Sequence, residues 1–113
     1  MTDLDLLQGT LDVMILKALS WRPMHGFGVA RWIRLTTEEV LRIEDSALYP
    51  ALHRLENKGA LSADWKLTDT GREAKFYRLT ARGRTRLESE TANWRQLVEA
   101  VGLILGDPEG ERR

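Results

Sequence analysis

Apolar positions in the first third of the chain recur at helical intervals. They predict a first helix over 6–19, and the segment 21–23, Trp-Arg-Pro, ends it because proline cannot continue a helix. A second, shorter helix is predicted from 25 to 36 or 37, opened by His-Gly.

A third helix is predicted between Asp45 and Gly59. Asp45 or Ser46 is the expected N-cap, because either side-chain oxygen can accept a hydrogen bond from a free amide of the first turn. Pro50 then falls at about the end of the first turn, where its missing N–H costs little, and Gly59 is a common helix stop. One apolar stripe at i, i+4 and i+7 is formed by Leu48, Leu52 and Leu55.

Alternation replaces helical spacing after this helix. Residues 61–67 alternate apolar and polar and predict a half-buried strand, 68–71 has turn composition, and 75–79 is rich in β-forming residues. Thr80 is expected to cap a long final helix that runs to about Leu105. Three helices, a hairpin and a long helix make a mostly α fold with a small β-hairpin (α+β), which is the winged helix-turn-helix arrangement.

The predicted organisation is a winged helix-turn-helix domain over 1–79, a helix over 80–106 and a frayed tail over 107–113. The last helix carries a partial heptad seam that a domain of this size cannot cover alone, so a second copy of the chain is its expected partner. The alternative is that the helix folds back on the first helix of its own chain. Candidate dimer-interface residues are Leu87, Trp94, Leu97, Val98, Val101, Ile104 and Leu105.

Charge is segregated along the chain although its formal net value is zero. Residues 66–86 contain seven cations and two anions, 21–35 contain three arginines and no acid, and 87–113 contain six acids and three cations. The basic run coincides with the predicted hairpin, as expected of a nucleic-acid-binding wing, although solvated surface charge is the alternative.

The third helix and the hairpin therefore supply the candidate DNA contacts. An exposed polar helix face suits the major groove, and cations on a hairpin suit phosphates or the minor groove. Ser46 could instead only cap the helix, and Arg54 could pair with an acid such as Glu44. Trp65, Phe76 and Tyr77 are interpreted as packing residues. The candidates are Ser46, Tyr49, Pro50, His53 and Arg54 on the helix and Lys66, Arg72 and Lys75 on the hairpin.

From 7 to 105 the sequence resembles the PadR family of transcriptional regulators. The resemblance is carried by His25-Gly26-Phe27, Ala47-Leu48-Tyr49-Pro50-Ala51-Leu52, Arg54-Leu55-Glu56, Lys58-Gly59, Gly71-Arg72, Lys75-Phe76-Tyr77-Arg78-Leu79-Thr80 and Gly83. It implies a winged helix, a homodimeric repressor on a roughly palindromic double-stranded operator, and dimerisation through the single C-terminal helix. It also implies that some members bind flat aromatic effectors. On that basis Trp94, Val98, Leu6 and Val13 are candidate ligand-lining residues.

Other classes of function are less well supported. Two histidines, no cysteine and no glycine-rich phosphate loop argue against an enzyme, and no cofactor or metal site is expected. No apolar run approaches a membrane span and the N-terminus lacks a secretion signal, so a cytoplasmic protein without a membrane partner is expected. Two alternatives to a plain repressor stay open: a sensor with an aromatic ligand pocket at the dimer interface, and a winged-helix module that binds proteins.

Overall fold

Four helices and a three-stranded antiparallel sheet are formed by residues 3–106, the part of the chain that this computed structural model describes. The expected tail over 107–113 lies outside the described residues. The elements in chain order are α1 (Asp3–Leu19), β1 (Met24–His25), α2 (Gly26–Thr36), α3 (Asp45–Asn57), β2 (Leu61–Leu67), β3 (Glu73–Leu79) and α4 (Ala81–Leu105).

The core lies between the first three helices and the base of the sheet. Leu48, Leu52 and Leu55 of α3 have no exposed surface, and Ile15 and Leu16 of α1 are equally buried. The i, i+4, i+7 stripe is thus confirmed as the core face of α3. Burying a leucine side chain fully contributes about 1.5–3 kcal/mol, so this stripe fixes which face of α3 points outward.

The start of α3 differs from the predicted one. The N-cap is Glu44, whose carbonyl accepts hydrogen bonds from the Ala47 and Leu48 amides at 3.0 and 2.9 Å, and no side chain caps the helix. Asp45 and Ser46 are already helical. The prediction of a capping Asp45 or Ser46 was wrong because the backbone becomes helical one residue earlier; Asp45 instead places its negative charge in the first turn, near the positive end of the helix dipole.

Pro50 lies inside α3, as its sixth residue, and not at the end of the first turn. Proline has no N–H to donate to the Ser46 carbonyl, so one helical hydrogen bond is lost there. Both residues are exposed. Water can therefore reach the Ser46 carbonyl, which limits the cost of the missing bond.

The sheet has the order β1-β3-β2. The pairing of β2 with β3 runs in continuous register from Leu61 opposite Leu79 to Leu67 opposite Glu73, which confirms the hairpin and extends its second strand by two residues. Strand β1 pairs with β3 only at Met24 and His25. It was not predicted, because two residues are too few to show an alternating pattern.

Thr80 fixes the junction between the sheet and α4. Its hydroxyl oxygen accepts from the Gly83 amide at 3.0 Å, as the predicted cap requires, and donates to the Gly59 carbonyl at 2.6 Å. The helix ends at Leu105, as predicted, and Gly106 follows with φ 68°. Every residue from 98 to 105 is exposed and the described part measures 60 × 28 × 24 Å, so the C-terminal end of α4 extends beyond the body of the fold.

Gly83 and Gly102 both lie in α4 but have different surroundings. A Cβ on Gly83 would lie 2.1 Å from the Ala60 carbonyl oxygen, whereas a Cβ on Gly102 would meet nothing within 4 Å. We expect Gly83→Ala to lower the free energy of unfolding by about 1–3 kcal/mol, the usual cost of overpacking. Gly102→Ala, the matched control, should raise it by up to about 1 kcal/mol through helix propensity. Equal effects in denaturant unfolding at one protein concentration would contradict this account.

Candidate nucleic-acid interface

The outward face of α3 presents polar and amphipathic side chains. Ser46, Tyr49, Pro50 and His53 are all exposed, and Tyr49 retains 45% of its surface. They occupy the face opposite the leucine stripe. Four of the five candidates on this helix are therefore free to meet a ligand outside the fold.

Tyr49 is held in place by a glycine of the preceding helix. A Cβ on Gly26 would lie 2.7 Å from the Tyr49 ring, so only glycine lets the ring rest against the start of α2. His25 caps α2 there, and its Nδ1 accepts from the Gly28 amide at 3.0 Å. The predicted opening of the second helix at His25-Gly26 is thus confirmed, and it supports one side of the Tyr49 ring.

Arg54 points away from the outward face. Its guanidinium donates to the carboxylate of Asp12 on α1 at 2.5 Å, and Asp12 is almost fully buried. Of the two roles considered for Arg54, pairing with an acid is the one that the structure shows, with Asp12 as the partner and not Glu44. Sequence reasoning did not single out Asp12; the available signal was an acid within the apolar pattern of the first helix.

Two of the three candidate cations on the hairpin are exposed. Lys66 lies on β2, and Arg72 follows the turn at the tip. That turn is closed by the Thr68 amide, which donates to the Arg72 carbonyl at 2.7 Å, and Gly71 adopts φ 82°, which glycine tolerates without strain. Arg72 is therefore displayed at the end of a well-defined hairpin.

Lys75 faces α3 instead of solvent. Its ammonium donates to the Glu56 carboxylate at 2.8 Å and lies 5.3 Å from the centre of the Tyr77 ring. The hydrogen bond that Lys75 donates to Glu56 raises the pKa of Lys75, and burial raises the pKa of Tyr77. Lys75 thus joins the hairpin to α3 and is less available to a phosphate than Lys66 or Arg72.

The outer half of the hairpin carries an exposed apolar face. Trp65 and Leu67 retain 67% and 68% of their surface, so the predictions of a half-buried strand and of a packing role for Trp65 were wrong here. Their side of the sheet continues that of the buried Leu61, but the helical core ends before the tip. Tyr77 is buried and Phe76 packs edge-on against His25 at 5.2 Å, as expected of packing residues.

A groove of about 850 Å³ lies between the hairpin and the helices. On the helical side Phe27 and Tyr49 line it, and on the hairpin side Trp65, Leu67 and Arg72 do. Phe27 is 64% exposed. It was not predicted as a site residue, because its side chain has no charged or hydrogen-bonding group. The groove therefore combines apolar surface with at least one exposed cation, beside the outward face of α3.

The candidate dimer residues of α4 divide into two groups. Leu87 is partly buried against the core of its own chain, and Leu97 is also half-buried. Among the candidate ligand residues, Val13 is half-buried, and the side chain of Leu6 lies outside the described set. The remaining candidates on α4, which retain 40–82% of their surface, are Trp94, Val98, Val101, Ile104 and Leu105.

Two features are absent from the residues that the structure describes. Between residues 3 and 106 no helix is both long and apolar enough to cross a membrane. Among the described side chains, those of residues 9–106, no group of three or more histidine, aspartate and glutamate residues is arranged to hold a metal ion.

A winged helix with an outward-facing third helix defines the class of fold, and comparison with known proteins defines the family. The model of the PadR-like family of transcriptional regulators matches residues 15–89. The chain belongs to the PadR family and is a transcriptional regulator of that family.

Individual relatives and solved structures are similar to this chain over much of its length. An uncharacterized protein of Lysinibacillus sphaericus is 27% identical over 89% of this chain and 93% of its own length. A transcriptional regulator of Mycobacterium tuberculosis is 40% identical over 58% of this chain and 57% of its own. A PadR family regulator from Eggerthella lenta has a TM-score of 0.73 at 31% identity, covering 90% and 87% of the two chains. A Clostridium thermocellum regulator has a TM-score of 0.78 at 26% identity, covering 87% and 95%.

The Lys75–Tyr77 cluster predicts a loss of stability at alkaline pH. Both pKa values are raised above their ordinary 10.5 and 10.0, so the folded state holds these protons more tightly than the unfolded chain. The stabilisation is fully present below the unfolded pKa values, hence at neutral pH, and is lost as the pH rises through the folded values. We expect the free energy of unfolding to fall above about pH 10, less steeply in Tyr77→Phe and in Lys75→Met. An identical fall in all three proteins would contradict the assignment.

Proposed function

We propose that this chain is a homodimeric, sequence-specific repressor that reads double-stranded DNA. The observation that carries the proposal is the pair of opposite faces on α3: the leucine face is fully buried, and the face with Tyr49 and His53 is open. An exposed helix of this kind is the element that a helix-turn-helix protein inserts into the major groove. Membership of a family of transcriptional regulators supports this assignment over the protein-binding alternative.

The exposed face of α4 supports the dimer. The row formed by Trp94, Val98, Val101 and Leu105 continues for more than two turns on a helix whose far half projects from the fold. An exposed apolar row of this length usually marks an interaction surface. A second copy of the chain carries the same row, and the two rows can pack against each other by two-fold symmetry. The dimer presents two copies of α3 to one face of DNA, which is why a palindromic operator follows.

The groove beside α3 indicates the path of the DNA. With α3 in the major groove and the hairpin tip at the neighbouring minor groove, one sugar-phosphate strand separates them and must pass through the groove. Arg72 then neutralises a phosphate or enters the minor groove, and the Trp65 ring packs against the sugars. Ser46, Pro50 and His53 lie on the major-groove side, and Lys66 adds charge from the hairpin.

The first test is the variant Tyr49→Ala/Arg72→Ala, assayed by electrophoretic retardation on a sequence enriched by the unmodified protein from random DNA. Removing a base-reading side chain and a phosphate contact should weaken binding about 10- to 1000-fold and lower the dependence on salt by about one phosphate. Arg84→Ala is the matched control, since Arg84 is an exposed cation at the start of α4. Its affinity should change much less.

Two tryptophans of similar exposure provide a second matched comparison in the same assay. Trp65 and Trp21 retain 67% and 66% of their surface, but only Trp65 lines the groove. Trp65→Ala should weaken binding and Trp21→Ala should not. Unchanged affinity of both the double variant and Trp65→Ala would show that DNA does not use this surface.

A further inference from the structure

Asp12 is a buried acid at the point where three helices meet. Asp12 retains 3% of its surface and lies on α1, which packs against both α3 and α4. One carboxylate oxygen accepts from Arg54 of α3 at 2.5 Å, and the other lies 3.8 Å from Nη2 of Arg86 on α4. A single carboxylate thus contacts a cation from each of two other helices.

The two contacts differ in strength. Arg54 forms a direct hydrogen bond, whereas the same Nη2 of Arg86 is 3.8 Å both from Asp12 and from Glu90, one turn further along α4. The Nε of Arg86 is buried and has no hydrogen-bond partner among the side chains of residues 9–106, which are those that the structure describes. The contact of Asp12 with α3 is therefore tighter than its contact with α4.

A charge in this position restricts the movement of both helices. Removing a partner from a buried ion pair leaves an uncompensated charge, which is strongly unfavourable. A change in the direction of α4 moves Arg86 relative to Asp12, and the carboxylate must then shift or lose a partner. Because Arg54 is bound to the same carboxylate, that shift reaches α3.

We propose that Asp12 is a positioning residue that couples the direction of α4 to the orientation of α3 through Arg54 and Arg86. The inference rests on the proposed function for its consequence: if α4 forms the dimer and α3 reads DNA, Asp12 sets the separation between the two reading helices. That separation determines which half-site spacing the dimer accepts. The coupling itself is a property of one chain and can be measured without DNA.

The chain has no cysteine, so two introduced cysteines give two unique spin-label positions. Asn57→Cys places one label on the exposed end of α3, and Gln96→Cys places the other on the exposed surface of α4. Labelled protein is diluted into an excess of unlabelled chain, so that pulsed dipolar spectroscopy reports the distance between the two helices within one chain. The distance distribution is measured in the unmodified background and in Asp12→Asn, Arg86→Gln, Arg86→Lys and Asp64→Asn.

We expect Asp12→Asn and Arg86→Gln to broaden or shift the distribution, and Arg86→Lys to retain most of the original form. Asp64→Asn is the matched control, because it removes the negative charge from the exposed 3.0 Å pair with Arg78 and should leave the distribution unchanged. If Asp12→Asn does not fold, Arg86→Gln decides the question, since it leaves the Asp12–Arg54 bond in place. Distributions identical to the unmodified one in the folded variants would overturn the proposal. A purely stabilising role would lower the melting temperature without changing these distances.

The expected effect of the coupling on DNA affinity is measured on unlabelled protein, with operators of varied half-site spacing. Asp12→Asn should lose about tenfold in affinity at the best spacing and discriminate less between spacings. If the unmodified chain binds no DNA while the distributions still broaden, the coupling stands and the proposed function fails. If DNA binding and spacing preference are intact in folded Asp12→Asn and the distributions are unchanged, the coupling alone fails.

Discussion

The burial of one face of α3 is the constraint on which the other features depend. Leu48, Leu52 and Leu55 are completely enclosed, so rotating this helix about its axis would expose leucine and bury polar groups. The open face with Tyr49 and His53 is therefore held outward by the core and does not depend on a ligand. The hairpin is attached to the same helix by the Lys75–Glu56 pair, so α3 and the hairpin are held together as one surface.

Several cations of the basic sequence run are paired with acids in the folded chain. The run from 66 to 86 has a net charge of +5, but Lys75, Arg78 and Arg86 each lie within 4.0 Å of an acid. Arg54 of α3 is engaged in the same way. The cations that the fold leaves exposed at the hairpin tip, Lys66 and Arg72, are fewer than the sequence count suggests. A regulator of zero net charge can therefore bind DNA only through a local surface, which favours dependence on shape and specific contacts over nonspecific attraction.

Helices and the hairpin could be predicted from the sequence because their patterns are local. The leucine stripe, the Thr80 cap and the alternation in 61–67 each need only neighbouring residues. Features that depend on distant residues could not be predicted: Asp12 and Arg54 are 42 positions apart, and β1 exists only because β3 pairs with it. The exposure of Trp65 could not be predicted either. Alternation shows which side of a strand an apolar residue occupies, but not how far the core extends beneath it.

We infer that α3 and the hairpin together form a DNA-reading surface. The most direct test is fluorescence anisotropy of the unmodified protein on labelled DNA from upstream of its own gene, with random DNA as competitor and the salt concentration varied. We expect binding that survives the competitor and weakens steadily with salt. Equal binding to both DNAs would contradict sequence-specific reading at this site, and no binding to either at low salt would contradict the DNA-reading surface itself.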